Sequence, residues 1–324
     1  MVLDKSVWGF KSSVLIVLRY KNHNMCSNNA TMKVYIVIVA FNPDNNHLAE
    51  MIAVIKKCGY IPVIVDNSDD KMISENVYLI SEVIDLNGNK GIAFAQNQGI
   101  RYAISNGADV IGFFDQDSEI SENLIKTLVQ SIKDKGIEIA APRSIDAATG
   151  KEYPSQRVGK NGIPKDVYTD YSKTLTKVDI AISSGTFVKK EVFEKIGMFD
   201  EALFIDFVDI EWCLRCYKAG IPIWIVRDAE MKHTIGNNTK SVGLFVINVH
   251  SPYRTYYKVR NAFLIFRKKA GFKFSITQLI PAIFHNSLLM FDPEHGKEYR
   301  KYYLRGIIDG LRNKDGKYEQ WHDN

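Results

Sequence analysis

The chain has no GxGxxG fingerprint and no GxxxxGK[ST] phosphate loop. Rossmann-type dinucleotide binding and P-loop hydrolysis are therefore disfavoured, since each needs glycines where the backbone meets phosphate. Cysteine is scarce: Cys26, Cys58, Cys213 and Cys216 are the only four in 324 residues. They are too few and too scattered for a disulfide scaffold, and a reducing, cytoplasmic compartment fits better. Cys213 and Cys216 form one CxxC, but no second pair completes four zinc ligands, so they read as small apolar residues on a helix. No uninterrupted apolar run approaches the ~18 residues that suggest a spanning helix. The apolar patch 14–18 is short and lacks a clear cleavage site, so no signal peptide is expected. Repeats and low-complexity tracts are absent. What remains is a globular composition, 46% hydrophobic and 24% charged, with length for one large domain and an appendage, or for two domains.

The net charge of +5 is unevenly spread: residues 254–317 carry +9 and the rest −4. A basic C-terminal region beside a mildly acidic body suggests a polyanion or an anionic membrane as partner. An ordinary solvated helix face would look the same. Aromatic and basic residues do not interleave in a recognisable motif, so nucleic acid is not expected as a partner.

Along the chain, β-branched runs alternate with helical patterns. Residues 34–41 (VYIVIVAF), 61–65, 77–85, 110–114 and 137–141 read as buried strands. Residues 47–58, 93–105 and 124–133 read as helices. This alternation predicts an α/β, doubly wound, mostly parallel sheet, which binds ligands beyond the carboxyl ends of its strands. Residues 150–177 look irregular or hairpin-like, 178–188 strand–turn–strand, 190–196 and 206–219 helical, and 223–226 strand. From 253 to about 311 aromatic and basic residues mix in helical patterns. Residues 1–31 end in a polar cluster and read as a poorly ordered N-terminal extension, with Met32 a candidate start.

Polar clusters fall at three strand ends. Asp115-Gln116-Asp117 places two carboxylates on one side of an extended chain. Such neighbours repel unless a cation relieves them, and oxygen ligands suit Mg²⁺ or Mn²⁺; a loop of two solvated aspartates is the plainer reading. Asp66, ahead of Asn67 and Ser68, is placed to accept from a nucleobase N–H or a ribose hydroxyl, or to make an Asx turn. The segment 87–93, with Asn89 and Gly91, opens the helix containing Asn97 and Gly99, where glycine permits close approach and a helix start favours anions. Asp206, Asp209 and Glu211 lie near a helix start, either to complement the dipole or to supply a general base. Arg215 stands at i+4 from Glu211 and suits an internal pair. His233 is a candidate metal ligand or phosphate contact. Arg254, Tyr257, Arg260 and Asn261 share a helical face, and arginine suits a diphosphate.

Taken together, these residues resemble the inverting, family 2 nucleotide-sugar glycosyltransferases of the GT-A fold. Six ordered segments, from Lys33 to His233, carry the likeness. Val39-Ala40-Phe41-Asn42-Pro43 looks like the first nucleotide-contact strand, and Val65-Asp66-Asn67-Ser68 like the base-binding turn. Asn89-Lys90-Gly91 with Asn97 and Gly99 looks like the Asn-x-Gly pair, and Phe114-Asp115-Gln116-Asp117 like the metal-binding Asp-x-Asp. Ser183-Ser184-Gly185-Thr186-Phe187 looks like the acceptor-side turn, and the 209–215 segment like the base segment. Val208 replaces the Glu that often precedes the base, and Glu211 stands where Asp is common, so the base role rests on Asp209, with Asp206 its rival.

The resemblance implies a catalytic domain over 32–250, with a nucleotide-sugar half (32–141) and an acceptor half (142–250), followed by a helical basic region (251–324). It implies Asp209 as base. Phe41, Asn42, Asp66, Asn67, Asn89, Gly91, Asn97, Asp115 and Arg260 would contact the nucleotide-sugar. Asp115, Asp117 and His233 would hold Mg²⁺ or Mn²⁺, and Ser184, Gly185, Asp206, Glu211 and Trp212 would stand on the acceptor side. Asp-Gln-Asp followed by Ser118, with Tyr256-Tyr257-Lys258-Val259-Arg260-Asn261, is most similar to bacterial rhamnosyltransferases of cell-surface polysaccharide assembly. That implies dTDP-L-rhamnose as donor and a lipid-linked saccharide as acceptor. A UDP-sugar hexosyl- or galactofuranosyltransferase is the alternative, and a nucleotidyltransferase a more distant one. Residues 263–291 mix Phe, Leu and Ile with basic residues. They suit peripheral contact with the inner face of the plasma membrane, or packing on the catalytic domain or a second copy in a homodimer.

Overall fold

The β-branched runs at 34–40, 61–66 and 110–115 become neighbouring strands, and amphipathic stretches become helices laid against them. The computed structural model describes residues 32–233, 239–242, 245–267 and 272–319; the N-terminal segment 1–31 lies outside them. In chain order the first half is β1 (Val34–Ala40), α1 (Asn45–Lys57), β2 (Ile61–Asp66), α2 (Glu75–Ile80), β3 (Glu82–Asp85), α3 (Ile92–Ser105), β4 (Val110–Asp115), α4 (Glu122–Lys135) and β5 (Ile139–Asp146). Then come β6 (Glu152–Tyr153), β7 (Ser155–Val158), β8 (Pro164–Val167), β9 (Leu175–Val178), β10 (Phe187–Lys189), α5 (Lys190–Ile196), α6 (Val208–Lys218) and β11 (Ile223–His233). The antiparallel pair β12 (Thr239–Val242) and β13 (Phe245–Asn248) precedes α7 (Pro252–Arg267), α8 (Phe272–Leu288) and α9 (Gly296–Leu311).

The main sheet runs β3-β2-β1-β4-β10-β5-β11-β9, with β6 on β5. β10, β9 and β6 run against the other strands. Strand periodicity sorts β1 between two cores. Tyr35, Val37 and Val39 pack towards α3, α5 and α6, while Ile36, Ile38 and Ala40 pack towards α1 and α4. Burying each such aliphatic side chain stabilises the fold by roughly 1.5–3 kcal/mol. Local signals agree: Asp44 caps α1 by accepting from Asn46 N–H at 2.9 Å, Ser121 caps α4, and Gly136 ends α4 in the left-handed region.

Two expectations are corrected. Residues 77–85 are not one strand: Val77 is buried, but Leu79 is 84% exposed, and the segment winds as α2 before β3 pairs with β2. The expected strand–turn–strand over 178–188 is a strand end, a braced turn and β10. The +9 of the C-terminal region is also partly internal. Arg305 pairs with Asp309 at 2.6 Å, Arg254 with Asp206 at 2.6 Å, and Arg260 is fully buried.

Gly99 on α3 lets that helix lie close on β1: a Cβ there would stand 2.4 Å from Val37 Cγ1. Alanine is the better helix former, but overpacking costs about 1–3 kcal/mol. Gly99→Ala is expected to lower the melting temperature by several degrees, at roughly 2–4 °C per kcal/mol. A calorimetric scan showing an unchanged or higher melting temperature would contradict this contact.

Candidate active site at the carboxyl edge of the sheet

Parallel register brings the polar clusters together. Ala40 pairs with Asp66, and Val39 with Asp115, so β1, β2 and β4 end side by side. Asp66 is 1% exposed; its Oδ1 accepts from Ser68 N–H at 3.0 Å, while Oδ2 is buried with no hydrogen-bond partner. A buried, unsatisfied carboxylate oxygen is costly unless a ligand donor meets it. Ser68 Oγ accepts from Asn42 N–H at 2.9 Å, which holds Asn42 in the left-handed region at φ 48°. The Phe41 ring is 40% exposed at the rim.

Gln116 has a structural part at this edge that its position between two aspartates disguised. Its Oε1 accepts from Phe41 N–H at 2.6 Å and its Nε2 donates to Phe41 O at 3.0 Å. This two-bond clip joins the ends of β1 and β4. No sequence signal marks it, because it depends on which strands are neighbours.

Several expected ligand contacts are spent on scaffolding instead. Asn67 donates to Asn89 Oδ1 at 3.3 Å and accepts from Lys90 N–H at 2.8 Å, and Asn89 Oδ1 accepts from Gly91 N–H at 3.0 Å. These amides shape the turn before α3. Gly91 takes φ 91°, and a Cβ there would meet the Phe204 side chain at 2.6 Å. Asn97 corrects its expected nucleotide role: it is 1% exposed, donates to Phe199 O and Glu201 Oε1, and accepts from Phe199 N–H.

Arg260 is corrected as well. Its Nη2 donates to Ala202 O and Leu203 O, and its Nη1 to Gly316 O at 2.6 Å. Its guanidinium lies 5.3 and 5.0 Å from the Tyr256 and Tyr257 rings. It faces the protein interior, where no diphosphate would reach it. Asn261 beside it donates to the carbonyls of Leu203, Ile205 and Asp206 at 2.9, 2.8 and 3.0 Å. Between them they hold a strained segment in which Phe204, Asp206 and Phe207 all have left-handed φ, at 63°, 63° and 66°.

That segment feeds directly into α6 and Asp209. Burial raises the proton affinity of Asp209; Asp206 adds to it, and the N–H groups of Ile210 and Ser183 oppose it. Asp209 lines a cavity of about 220 Å³ with Ser144, Tyr153 and Ile182. Asp206 is no rival base, because Arg254 grips both its oxygens, at 2.6 and 3.2 Å. Glu211 is 5% exposed and paired with Arg215 at 2.9 Å, and Arg215 also donates to Ile196 O and Met198 O. Trp212 packs on Phe193 and Phe199 and donates to Gly197 O at 2.9 Å. Neither Glu211 nor Trp212 faces an acceptor.

Ser184 and Gly185 brace β4 from below. Ser184 Oγ accepts from Asp115 N–H at 3.1 Å, Gly185 N–H donates to Phe113 O at 2.7 Å, and a Cβ on Gly185 would stand 2.6 Å from Pro142. Asp115 feels the consequence of its position. Burial first, and then the charges of Asp117 and Asp209, push its carboxyl up to about 6, against a hydrogen bond from Ser184. Three acids therefore share one neighbourhood. His233 ends β11 opposite Asp146, and its side chain lies outside the described residues.

Among the described residues no three His, Cys, Asp or Glu side chains form a full metal cage. Two carboxylates at a strand end still fit Mg²⁺ or Mn²⁺, which complete their shells with water and substrate phosphate oxygens. Burial chiefly, and the neighbouring charges of Asp117 and Asp209 after it, raise the proton affinity of Asp115, and a cation there would offset both.

The family model "Glycosyl transferase family 2" matches residues 35–197. The chain is 40% identical over 286 residues, 87% of itself and 97% of the relative, to the dTDP-rhamnosyl transferase RfbF of Shigella flexneri. It is 25% identical over 268 residues, 80% of itself and 85% of the relative, to the low-salt glycan biosynthesis hexosyltransferase Agl10 of Haloferax volcanii. The solved structure of S. aureus TarS 1-349 in complex with UDP-GlcNAc aligns at TM-score 0.55 and 14% identity, covering 87% of this chain and 81% of that one. The structure of TarS 1-349 without that ligand in its description aligns at TM-score 0.51 and 15% identity, covering 86% and 81%. The TarS likeness shows the fold, which is of the GT-A type.

A carboxyl whose folded value lies above its unfolded one weakens the fold as pH rises from the unfolded value through the folded one. For Asp115 that window runs from 3.8 to about 6. Asp115→Asn removes the penalty, which is worth about 1–3 kcal/mol. The variant is expected to melt several degrees higher than the parent at pH 8 without added metal, and at the same temperature near pH 4. Equal melting at both pH values would refute the crowding.

Proposed function

We infer donor and chemistry from one premise: the chain belongs to glycosyl transferase family 2, and it is a glycosyltransferase. We propose that it moves L-rhamnose from dTDP-L-rhamnose, with inversion, to a saccharide acceptor in cell-surface polysaccharide assembly. The 40% identity to a dTDP-rhamnosyl transferase over nearly the full length of that protein supports the donor. Family membership sets the nucleotidyltransferase alternative aside. The observation that carries the chemistry is Asp209 standing within electrostatic reach of Asp115, at the end of β4.

The nucleotide sits over β1 and β2. Asp66 Oδ2 accepts from the base, and the exposed Phe41 ring covers the rim. The sugar lies towards Asp209. Burial makes the Asp209 carboxylate a stronger base, so it takes the proton of the acceptor hydroxyl as that oxygen attacks the anomeric carbon. The bond from that carbon to the diphosphate oxygen breaks on the opposite face, which inverts the centre. Mg²⁺ or Mn²⁺ at Asp115 and Asp117, when bound, supplies positive charge to the leaving diphosphate. The strained 204–207 backbone leads directly into the first turn of α6, which carries Asp209.

We also place the enzyme at the inner face of the plasma membrane. The stretch Lys273–Phe291 is long and apolar enough, by length and composition alone, to cross a membrane, yet is only 28% buried. Its Ile280, Phe284 and Phe291 are exposed. With Pro281 inside the helix and flanking basic residues, it suits an interfacial position.

Asp209→Asn is expected to lower kcat by at least ~10²-fold, the usual share of a general base. In that variant dTDP with Mn²⁺ should still raise the melting temperature, and should do so more than UDP or GDP. Near-normal turnover rejects the base, and a larger shift with UDP moves the donor to a UDP-hexose. Sedimentation with anionic liposomes at low salt checks the membrane contact, and protein left in the supernatant rejects it.

A further inference from the structure

The segment that follows α9 turns back over α7 and touches the backbone ahead of Asp209. α9 closes on a left-handed Asn313, at φ 58°, with Lys314 N–H donating to Asp309 O at 2.9 Å and Asn313 N–H to Gly310 O at 3.2 Å. This pair of bonds is a Schellman stop, whose left-handed position asparagine tolerates better than most residues. Gly316 makes a second reversal at φ 73°, and a Cβ there would meet nothing within 4 Å, so glycine serves the backbone angle alone. The two reversals set Gly316 between Ala202 and Arg260.

Gly316 N–H donates to Ala202 O at 2.9 Å, and Gly316 O accepts from Arg260 Nη1 at 2.6 Å. Arg260 Nη2 donates to the same Ala202 carbonyl and to Leu203 O. The three residues thus close a ring of bonds just ahead of the strained 204–207 stretch. Tyr318 N–H donates to Tyr257 Oη at 2.9 Å, and the Tyr318 ring lies edge-on to Tyr256 and Tyr302 at 4.7 and 5.3 Å. Tyr257 in turn stacks on Phe204. Lys317 approaches Asp69 at 3.7 Å, but both side chains are largely exposed, so that pair adds little. The hold therefore comes from main-chain bonds and aromatic rings. Neither hydrophobic layer around β1 contains a residue beyond 274, so releasing 316–318 takes nothing from either.

We propose that residues 316–318 are positioning residues for sugar transfer: docked on α7, they set the 202–207 backbone and so the approach of the Asp209 carboxylate to the acceptor hydroxyl. The assignment rests on reading Asp209 as the base. Arg260 is fully buried, and Gly316 O is the acceptor for its Nη1. Undocking leaves that charged donor unmatched, so the fork must shift to recover a partner. Ala202 and Leu203 share the fork and move with it. Among the described residues no hydrogen bond joins 316–318 to Asp66 or Phe41, so donor binding is spared.

The assay is dTDP released by the full chain from dTDP-L-rhamnose with Mn²⁺, water serving as the acceptor whose proton Asp209 takes. Tyr318→Ala is expected to lower kcat by about tenfold or more, since a ~1 Å misplacement can cost ~10²-fold. Donor KM should stay within about twofold. Tyr318→Phe keeps the ring and should hold kcat within about twofold of the parent. Gly316→Val opposes the second reversal without a clash and should act like Tyr318→Ala, which decides the matter if the latter does not fold. Pairing with Asp209→Asn separates positioning from general damage: with the base gone, either variant should lower the residual kcat by less than about twofold. Unchanged kcat in the folded variants, losses that multiply with Asp209→Asn, or an effect confined to donor KM overturns the proposal. Normal turnover in Asp209→Asn alone rejects the base reading instead. Hydrogen exchange reads the backbone directly: amides of 205–211 should exchange about tenfold faster in Tyr318→Ala, with β1 unchanged. Equal exchange overturns the proposal even where the parent releases no dTDP, an outcome that by itself rejects the donor reading.

Discussion

Two adjacent side chains on α7, Arg260 and Asn261, donate to the backbone carbonyls of residues 202–206 and thereby hold the segment that delivers Asp209. Three non-glycine residues there sit at positive φ, a conformation that persists only when its surroundings over-determine it. The guanidinium is itself held between Tyr256 and Tyr257, and Tyr257 stacks on Phe204 at 5.0 Å. Phe204 O in turn accepts from Ile92 N–H at 2.7 Å, at the start of α3. One buried polar network therefore links α7, the segment that leads into α6 and the turn before α3. In such a network a half-satisfied state costs more than an apolar core would.

The acids at the sheet edge work against the fold that positions them. Asp115 is pushed towards neutrality by burial and by Asp117 and Asp209, and Asp66 keeps a buried oxygen unpaired. Both features cost stability, and the two hydrophobic layers packed on either side of β1 lie next to them.

Much of the fold was legible in the residue pattern. The β-branched runs of β1, β2 and β4 bury on both faces, and the polar clusters that follow them had to lie at strand ends. Where local pattern misled, tertiary context explains it. Val77 to Ile80 spell a strand, yet Val77 and Ile80, three apart, meet the core while Tyr78 and Leu79 between them stay exposed, so the segment coils. The spacing put Arg260 on one helical face with Arg254, but Arg260 turns inward against 202–206 while Arg254 stays partly exposed on Asp206. Trp212 and Glu211 likewise turn into the core behind Asp209.

The order of strands, helices and acidic clusters, and the basic, apolar end of the chain, follow from the sequence alone, because hydrophobic periodicity and turn chemistry act over a few residues. Which polar groups remain free for a ligand was decided only by the tertiary structure. Asn97 and Asn261 carry the same amide as Asn42, yet their partners lie far along the chain: Phe199 is 102 residues from Asn97, and Leu203 is 58 from Asn261. A side chain is spent or spared according to what folding brings beside it, and no local pattern contains that distance.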